Sequence, residues 1–190
     1  MSTIFILSII QINQYAHWTY WLGLEFCVKF SLYHNHNHCQ NVICSSSYDK
    51  TIRFWDFKHN KQLQIFNMHT ASVNGIEFSP FNGGKYLCSG SLDKNIRLWD
   101  VEVSKSLHVF NGHANGVWCV DISTLICSGS RGNTICFWDI RSNKNQLYVI
   151  KGDEDNGIIC IKLSQLKKHD CIQSLSFLGW CVFNETVFIH

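Results

Sequence analysis

A chain of 190 residues with 16 Lys and Arg, 14 Asp and Glu and a net charge of +2 is sized for one globular domain. Its 46% hydrophobic and 14% aromatic content and its one proline argue against a disordered chain. The mixed charge, with no basic stripe, argues against a chain that wraps nucleic acid; Lys167-Lys168 is a pair on a solvated surface rather than a phosphate site.

Residues 1–24 contain no Asp, Glu, Lys or Arg. The apolar run Ile4–Ile10 is followed by Gln11, Asn13, Gln14 and His17, too many polar groups for a membrane helix of about 20 mostly apolar residues. A secretory signal needs a basic start and a small-residue cleavage site, and neither is present. The stretch reads as a packed or irregular leader, with a membrane or secretory element and a miscalled start as the competing readings.

Glu25-Phe-Cys-Val-Lys-Phe-Ser31 matches Gly75-Ile-Glu-Phe-Ser79 and opens a repeating region. His34-Asn-His-Asn-His38-Cys39 then fills a loop. Imidazoles beside a thiol are good zinc or copper ligands, but this spacing is not that of a structural zinc site. The expectation is a polar loop and no metal.

The region that follows is organised by three related strings. They are Cys44-Ser-Ser-Ser-Tyr-Asp-Lys-Thr-Ile-Arg-Phe-Trp-Asp56, Cys88-Ser-Gly-Ser-Leu-Asp-Lys-Asn-Ile-Arg-Leu-Trp-Asp100 and Cys127-Ser-Gly-Ser-Arg-Gly-Asn-Thr-Ile-Cys-Phe-Trp-Asp139. Trp55 and Trp99 stand 44 residues apart, Trp99 and Trp138 stand 39 apart, and the cysteines give the same two spacings. The shortfall lies where Ser79–Leu87 contracts to Ser123–Ile126, as expected of a shortened hairpin loop. Ile52/Phe54, Ile96/Leu98 and Ile135/Phe137 alternate with neighbours at a period of two, the pattern of a strand. Val73–Phe78 and Val117–Ile122 are mostly apolar and suit strands packed on both sides, while Ser106–Phe110 alternates as an outer strand does.

Four strands in a unit of about 40–45 residues, with Gly-His and Trp-Asp, mark a propeller blade. On these motifs the chain resembles the WD-repeat family of β-propellers over residues 26–163. The resemblance implies an all-β fold: an incomplete β-propeller of three four-stranded antiparallel blades and the start of a fourth. The domain plan is a non-repeat leader at 1–24, blades at about 25–66, 69–110 and 113–150, a partial blade at 152–163, and a non-repeat tail at 164–190. It further implies, in each blade, a hydrogen-bonded set of His, Ser or Thr, Asp and Trp. The middle blade carries a full set in His69, Ser89 (or Ser91), Asp93 and Trp99. The third has His113, Ser128 and Trp138, but Gly132 stands where the Asp belongs. The first has Ser45, Asp49 and Trp55 and no clear His, since the equivalent count lands on Trp21. In the fourth, Asp153 replaces the His and only the strand-like Ile158–Leu163 remains. Beyond it, Cys171–His190 is apolar and compatible with two loose strands or a helix.

Cys44, Cys88 and Cys127 hold one repeat position, and Cys27, Cys119 and Cys160 another. Equivalent sites of successive blades lie in parallel places, so these read as small buried hydrophobes rather than bridge halves. Reduced thiols favour an intracellular compartment, the cytoplasm first and the nucleus second.

No Gly-x-x-x-x-Gly-Lys-Ser/Thr, Gly-x-Ser-x-Gly or His-Glu-x-x-His is present. His69, Ser89 and Asp93 look like a hydrolytic triad, but the set recurs in degraded form and a Trp completes it, which assigns a structural role. The resemblance implies a non-enzymatic scaffold, without cofactor or metal, that binds proteins or peptides and neither nucleic acid nor membrane. Its face is implied to include Tyr48, Leu92 and Arg131 in turns and Met68, Thr70, Ala114 and Asn115 in interblade loops; Tyr and Arg are enriched in binding hot spots. Two further readings stand beside it: a recruiting fragment of a larger ATPase or ubiquitin ligase, and a fragment that does not fold usefully alone. Propellers close with four to eight blades. Two bare end faces of about 400 Å² each would exceed the largest patch of a typical monomer, about 300–600 Å², so tails, missing blades or a second copy must cover them.

Overall fold

A computed structural model of the chain describes residues 25–36, 41–140, 146–152, 157–158, 161, 180–182 and 185–187. Strands β1 (Glu25–Phe30), β2 (Val42–Ser47), β3 (Ile52–Asp56) and β4 (Lys61–Phe66) form one antiparallel sheet in sequence order. β5 (Val73–Phe78), β6 (Tyr86–Ser91), β7 (Asn95–Asp100) and β8 (Lys105–Asn111) form the second. β9 (Val117–Ile122), β10 (Leu125–Ser130), β11 (Thr134–Asp139) and β12 (Gln146–Lys151) form the third. The strands β1 and β2 pack on β5, and β5, β6 and β7 pack on β9, so the first strands of successive sheets stand side by side. The fold is all-β, an incomplete propeller of three four-stranded blades.

The three sheets share one register. Cys44 faces Phe54, Cys88 faces Leu98 and Cys127 faces Phe137 across the second and third strands. A β-bulge recurs immediately before each repeat tryptophan, at Phe54/Trp55, Leu98/Trp99 and Phe137/Trp138, where an extra residue on the partner strand bends the outer edge. The turn between second and third strands closes each time on a residue in the left-handed region, Lys50, Lys94 and Asn133. The shortened hairpin is confirmed: a 3₁₀ turn at Asn82–Gly84 connects β5 to β6, whereas two residues connect β9 to β10.

Between blades the packing also repeats. The third strand turns Ile52 and Phe54, or Ile96 and Leu98, onto the following blade, and the outer strand adds a phenylalanine. Phe66 stacks on Trp99 at 4.9 Å and 16°, and Phe110 lies 5.7 Å from Trp138. Gly90 gives room for Val117 and Val120 of the next blade, and Gly129 does the same for Ile158. Ile158 thus occupies on the third blade the place Val117 takes on the second, with its N–H donating to Ser130 O at 2.9 Å.

The ends differ from the middle. Val28 and Phe30 are 45% and 48% exposed, while their equivalents Ile76, Phe78, Val120 and Ile122 are buried. Ile150, at the position of Phe66 and Phe110, is 37% exposed.

Three expectations need adjustment. The stretch after Ser31 is not a loop throughout: Leu32–His36 forms a short helix, α1. Ser31 caps it, with Oγ 2.7 Å from His34 Nδ1, and the His34 ring packs 5.6 Å from Phe54. The outer strand of the second blade extends one residue at each side of Ser106–Phe110. In the tail, β13 (Trp180–Val182) and β14 (Glu185–Val187) pair as an antiparallel hairpin. The leader, Trp21, His38, Cys39, Asp153, Cys160 and most of the tail lie outside the described residues.

The glycine positions make the interblade contact testable. A Cβ on Gly90 would stand 2.6 Å from Val117 Cγ1 and 2.9 Å from Val120 Cγ1, in a buried layer with no solvent to yield into. Gly90→Ala is expected to destabilise the chain by about 1–3 kcal/mol, read as a lowered urea midpoint. A midpoint equal to that of the parent would show that this interface is not packed as described.

Candidate protein-docking face

The second blade fixes its rim through one buried chain of hydrogen bonds. Trp99 Nε1–H donates to Ser89 Oγ at 2.8 Å. Ser89 Oγ lies 2.8 Å from His69 Nε2, and His69 Nδ1 lies 2.8 Å from Asp93 Oδ2. A carboxylate only accepts, so Nδ1 carries the proton, Nε2 accepts from the Ser89 hydroxyl, and one tautomer is selected. Asp93 also accepts from the N–H groups of Thr70 and Asn95, each at 3.0 Å. Burial, which would raise its pKa, is outweighed by these donors from His69, Thr70 and Asn95, and the pKa falls to about 2. Of the two serines that the sequence leaves open, Ser89 joins the set. Ser91 instead donates to Ala71 O and accepts from Asp93 N–H.

The other blades carry the same indole bond with different ends. Trp138 Nε1 donates to Ser128 Oγ at 2.9 Å, and Ser128 Oγ lies 2.7 Å from His113 Nε2. Where Asp93 would stand there is Gly132, and His113 Nδ1 instead lies 3.1 Å from Thr134 Oγ1 and 3.6 Å from Cys136 Sγ. Burial holds the His113 pKa down at about 4. In the first blade Trp55 Nε1 donates to Ser45 Oγ at 3.2 Å. Asp49 accepts from Thr51 Oγ1 at 2.6 Å and pairs with Arg53 Nη2 at 2.5 Å. Sequence reasoning missed Thr134 and Arg53, because neither is a position of the four-residue set. The signal available was a hydroxyl two residues after Gly132 and a guanidinium four after Asp49.

These bonds bring the sequence-selected surface residues to one rim. Ser72 Oγ donates to Tyr48 O, Leu92 N–H donates to Ser72 O, and Arg131 N–H donates to Gly116 O. Gly116 lies against the Leu92 side chain and Gly132 against that of Asn115. Tyr48, Met68, Thr70, Leu92, Ala114, Asn115 and Arg131 are all exposed. The rim is therefore built from the turns after each second strand, seated on the loop that enters the next blade. Its opposite end carries α1 packed on the 3₁₀ turn and the β3–β4 turn with the His59–Asp56 pair.

Among the described residues no group of His, Cys, Asp and Glu is placed to hold a metal ion, and no helix is long and apolar enough to cross a membrane. Cys44, Cys88 and Cys127 are fully buried at equivalent positions, and burial raises the pKa of each, which keeps the thiols protonated.

The family model described as WD domain, G-beta repeat matches residues 25–56, 60–100 and 104–139, more than half of the chain. A comparison with curated proteins gives no match. The second and third matches run from β4 through β7 and from β8 through β11, each starting on the outer strand of the preceding sheet.

The indole bond should matter in proportion to its burial. Trp99→Phe removes a buried N–H···O bond and ring volume and is expected to cost about 2–4 kcal/mol. Trp55→Phe, at a partly exposed ring with the longer bond, should cost about 1 kcal/mol or less. Equal losses in paired urea titrations would contradict the unequal burial of the two rings.

Proposed function

The chain belongs to the WD domain, G-beta repeat family, whose domains are of the protein-interaction scaffold kind, and we propose that it acts as a non-enzymatic platform binding peptides or protein partners through one rim. The observation that carries this reading is the convergence of Tyr48, Met68, Thr70, Leu92, Ala114, Asn115 and Arg131 on that rim, all exposed, with the second-blade turn fixed from beneath by the His69–Asp93 bond. Tyr48 and Leu92 supply apolar contact and Arg131 a planar cation, the residue kinds that anchor interfaces. The domain plan proposed with it is a leader at 1–24, blades at 25–66, 69–110 and 113–150, a partial blade at 152–163 and a tail at 164–190. Buried protonated thiols support a reducing compartment, cytoplasm or nucleus.

The test compares two ends of the same molecule. Capture from cell extract by the parent chain is set against capture by Tyr48→Ala/Arg131→Ala, with Lys58→Ala/His59→Ala at the opposite end as control. Proteins retained by the control and lost with the rim variant support the platform. Recovery that is the same for all three folded chains overturns it.

A second reading, that further blades complete the array, is favoured by the exposure of Val28, Phe30 and Ile150 at positions buried in the interior blades. They come from a longer parent, such as an ATPase or ubiquitin ligase that this region would recruit for, or from a second copy. On this reading the purified chain of 22.0 kDa self-associates through its end faces. Light scattering should give a mass above that of one chain, reduced by Phe30→Asp. A monodisperse monomer with both ends exposed would rule it out.

A further inference from the structure

We propose that the third blade contains an acid-sensitive latch: protonation of His113, which faces hydroxyls where His69 faces a carboxylate, loosens the rim at Ala114, Asn115 and Arg131. That this controls partner binding rests on the docking reading above; the loosening itself does not.

The two blades provide an internal comparison. In the second, the imidazole lies between Ser89 and Asp93, so an added proton meets a negative charge at 2.8 Å. In the third, the imidazole lies between Ser128 and Thr134, both neutral. Its surroundings are traceable element by element among the described residues. From β10 comes Ser128; from β11 come Thr134, Cys136 and the Trp138 ring at 6.2 Å. From β12, Gln146 donates to Cys136 Sγ at 2.9 Å. From β8, Phe110 packs on the same indole, with His108 6.2 Å from that phenyl ring. Among the described residues the one titratable contact of His113 itself is the Cys136 thiol, whose pKa burial raises to about 11, so it supplies no counter-charge. An imidazolium here is a buried cation that meets only neutral partners among the described residues.

The direction follows from the depressed pKa. The folded chain holds His113 neutral down to about pH 4, against an ordinary value of 6.5. Its contribution is fully present above pH 6.5 and is lost progressively as pH falls from 6.5 to 4. The Asp93 carboxylate, with its pKa near 2, does not titrate in that window. Opening at His113 acts on the rim directly, because Ala114 follows it and Ser130 Oγ binds the carbonyls of Asn115 and Gly116, while Arg131 N–H binds Gly116 O.

The missing carboxylate can be put back. Gly132 N–H donates to Ser130 Oγ as Asp93 N–H does to Ser91 Oγ, so the two turns have the same build. A Cβ on Gly132 would meet Asn115 Nδ2 at 2.5 Å, the free end of an exposed side chain that can move aside.

Hydrogen exchange on the full chain at pH 7 and pH 5, corrected for intrinsic rates, reads the latch without any partner. In the parent, amides of β10 and β11 should open about 20-fold more at pH 5 than at pH 7, while those of β6 and β7 keep their protection. Gly132→Asp should abolish the difference by supplying the acceptor, and His113→Gln by removing the titrating group. Equal acceleration in both blades, or a third-blade response that survives His113→Gln, overturns the proposal. Should Gly132→Asp fail to fold, His113→Gln and the comparison between blades decide it. Failure of the docking reading would show in the capture experiment alone and leave the exchange result standing.

Discussion

Each blade is organised by one indole in the third strand that is held from two sides. Its N–H is bound by a serine of the second strand, Ser45, Ser89 or Ser128. For Trp99 and Trp138, the ring is covered by a phenylalanine from the outer strand of the blade before. The first contact ties the sheet together internally and the second ties it to its neighbour. A buried indole must do both, since its N–H needs an acceptor and its large apolar surface needs a cover. At Trp55, where no such cover stands among the described residues, the ring is partly exposed and the bond to Ser45 is the longest of the three. The serine is as constrained as the tryptophan. In the second blade its single oxygen accepts from the indole and donates to the imidazole, so the position requires a small hydroxyl.

Most of this was legible in the chain, and the reason is repetition. One copy of Ile96-Arg-Leu-Trp-Asp100 suggests a strand; three copies in one spacing fix a register, and the observed pairing of Cys44, Cys88 and Cys127 with Phe54, Leu98 and Phe137 shares it. The strands Val73–Phe78 and Val117–Ile122 begin and end where their apolar pattern does. What was not legible depends on side chains reaching across blades or compensating for a lost residue. Phe110 read only as a member of an alternating outer strand and Phe66 only as the end of the first blade, because the ring each covers lies far away in sequence. Thr134 was silent because a hydroxyl in a turn has many local uses, and only the absence of a carboxylate at Gly132 frees it for His113. The helix Leu32–His36 was hidden by its histidines. Polar residues in succession suggest a loop, whereas here Ser31 caps the turn and one imidazole packs on Phe54.

The blades also show how a hydrogen-bonded set degrades without losing the fold. The first blade has an acidic residue and, among the described residues, no histidine facing it; Asp49 turns to Thr51 and Arg53. The third has the histidine and no acid, and Thr134 and Cys136 stand at positions that Asn95 and Arg97 hold in the second. The bond that survives in every blade is the one between indole and serine, which points to it as the minimum the sheet requires.

The family repeat begins on an outer strand, and this phase determines how the array is joined. Residues 60–100 contain both Phe66 and the Trp99 it covers, and residues 104–139 contain both Phe110 and Trp138. Each repeat therefore spans two sheets and carries a complete blade-to-blade contact within itself. Adding one repeat adds one outer strand to the old blade, three strands to the new one, and the aromatic pair between them. The first match, 25–56, starts on β1 rather than on an outer strand, so the match itself holds no outer strand to supply a phenylalanine over Trp55. At the far end β12 follows the last match, and Ile150 stands exposed at the covering position. Among the described residues the two ends thus carry the two halves of the contact repeated between blades, a partly exposed ring at Trp55 and an exposed covering position at Ile150.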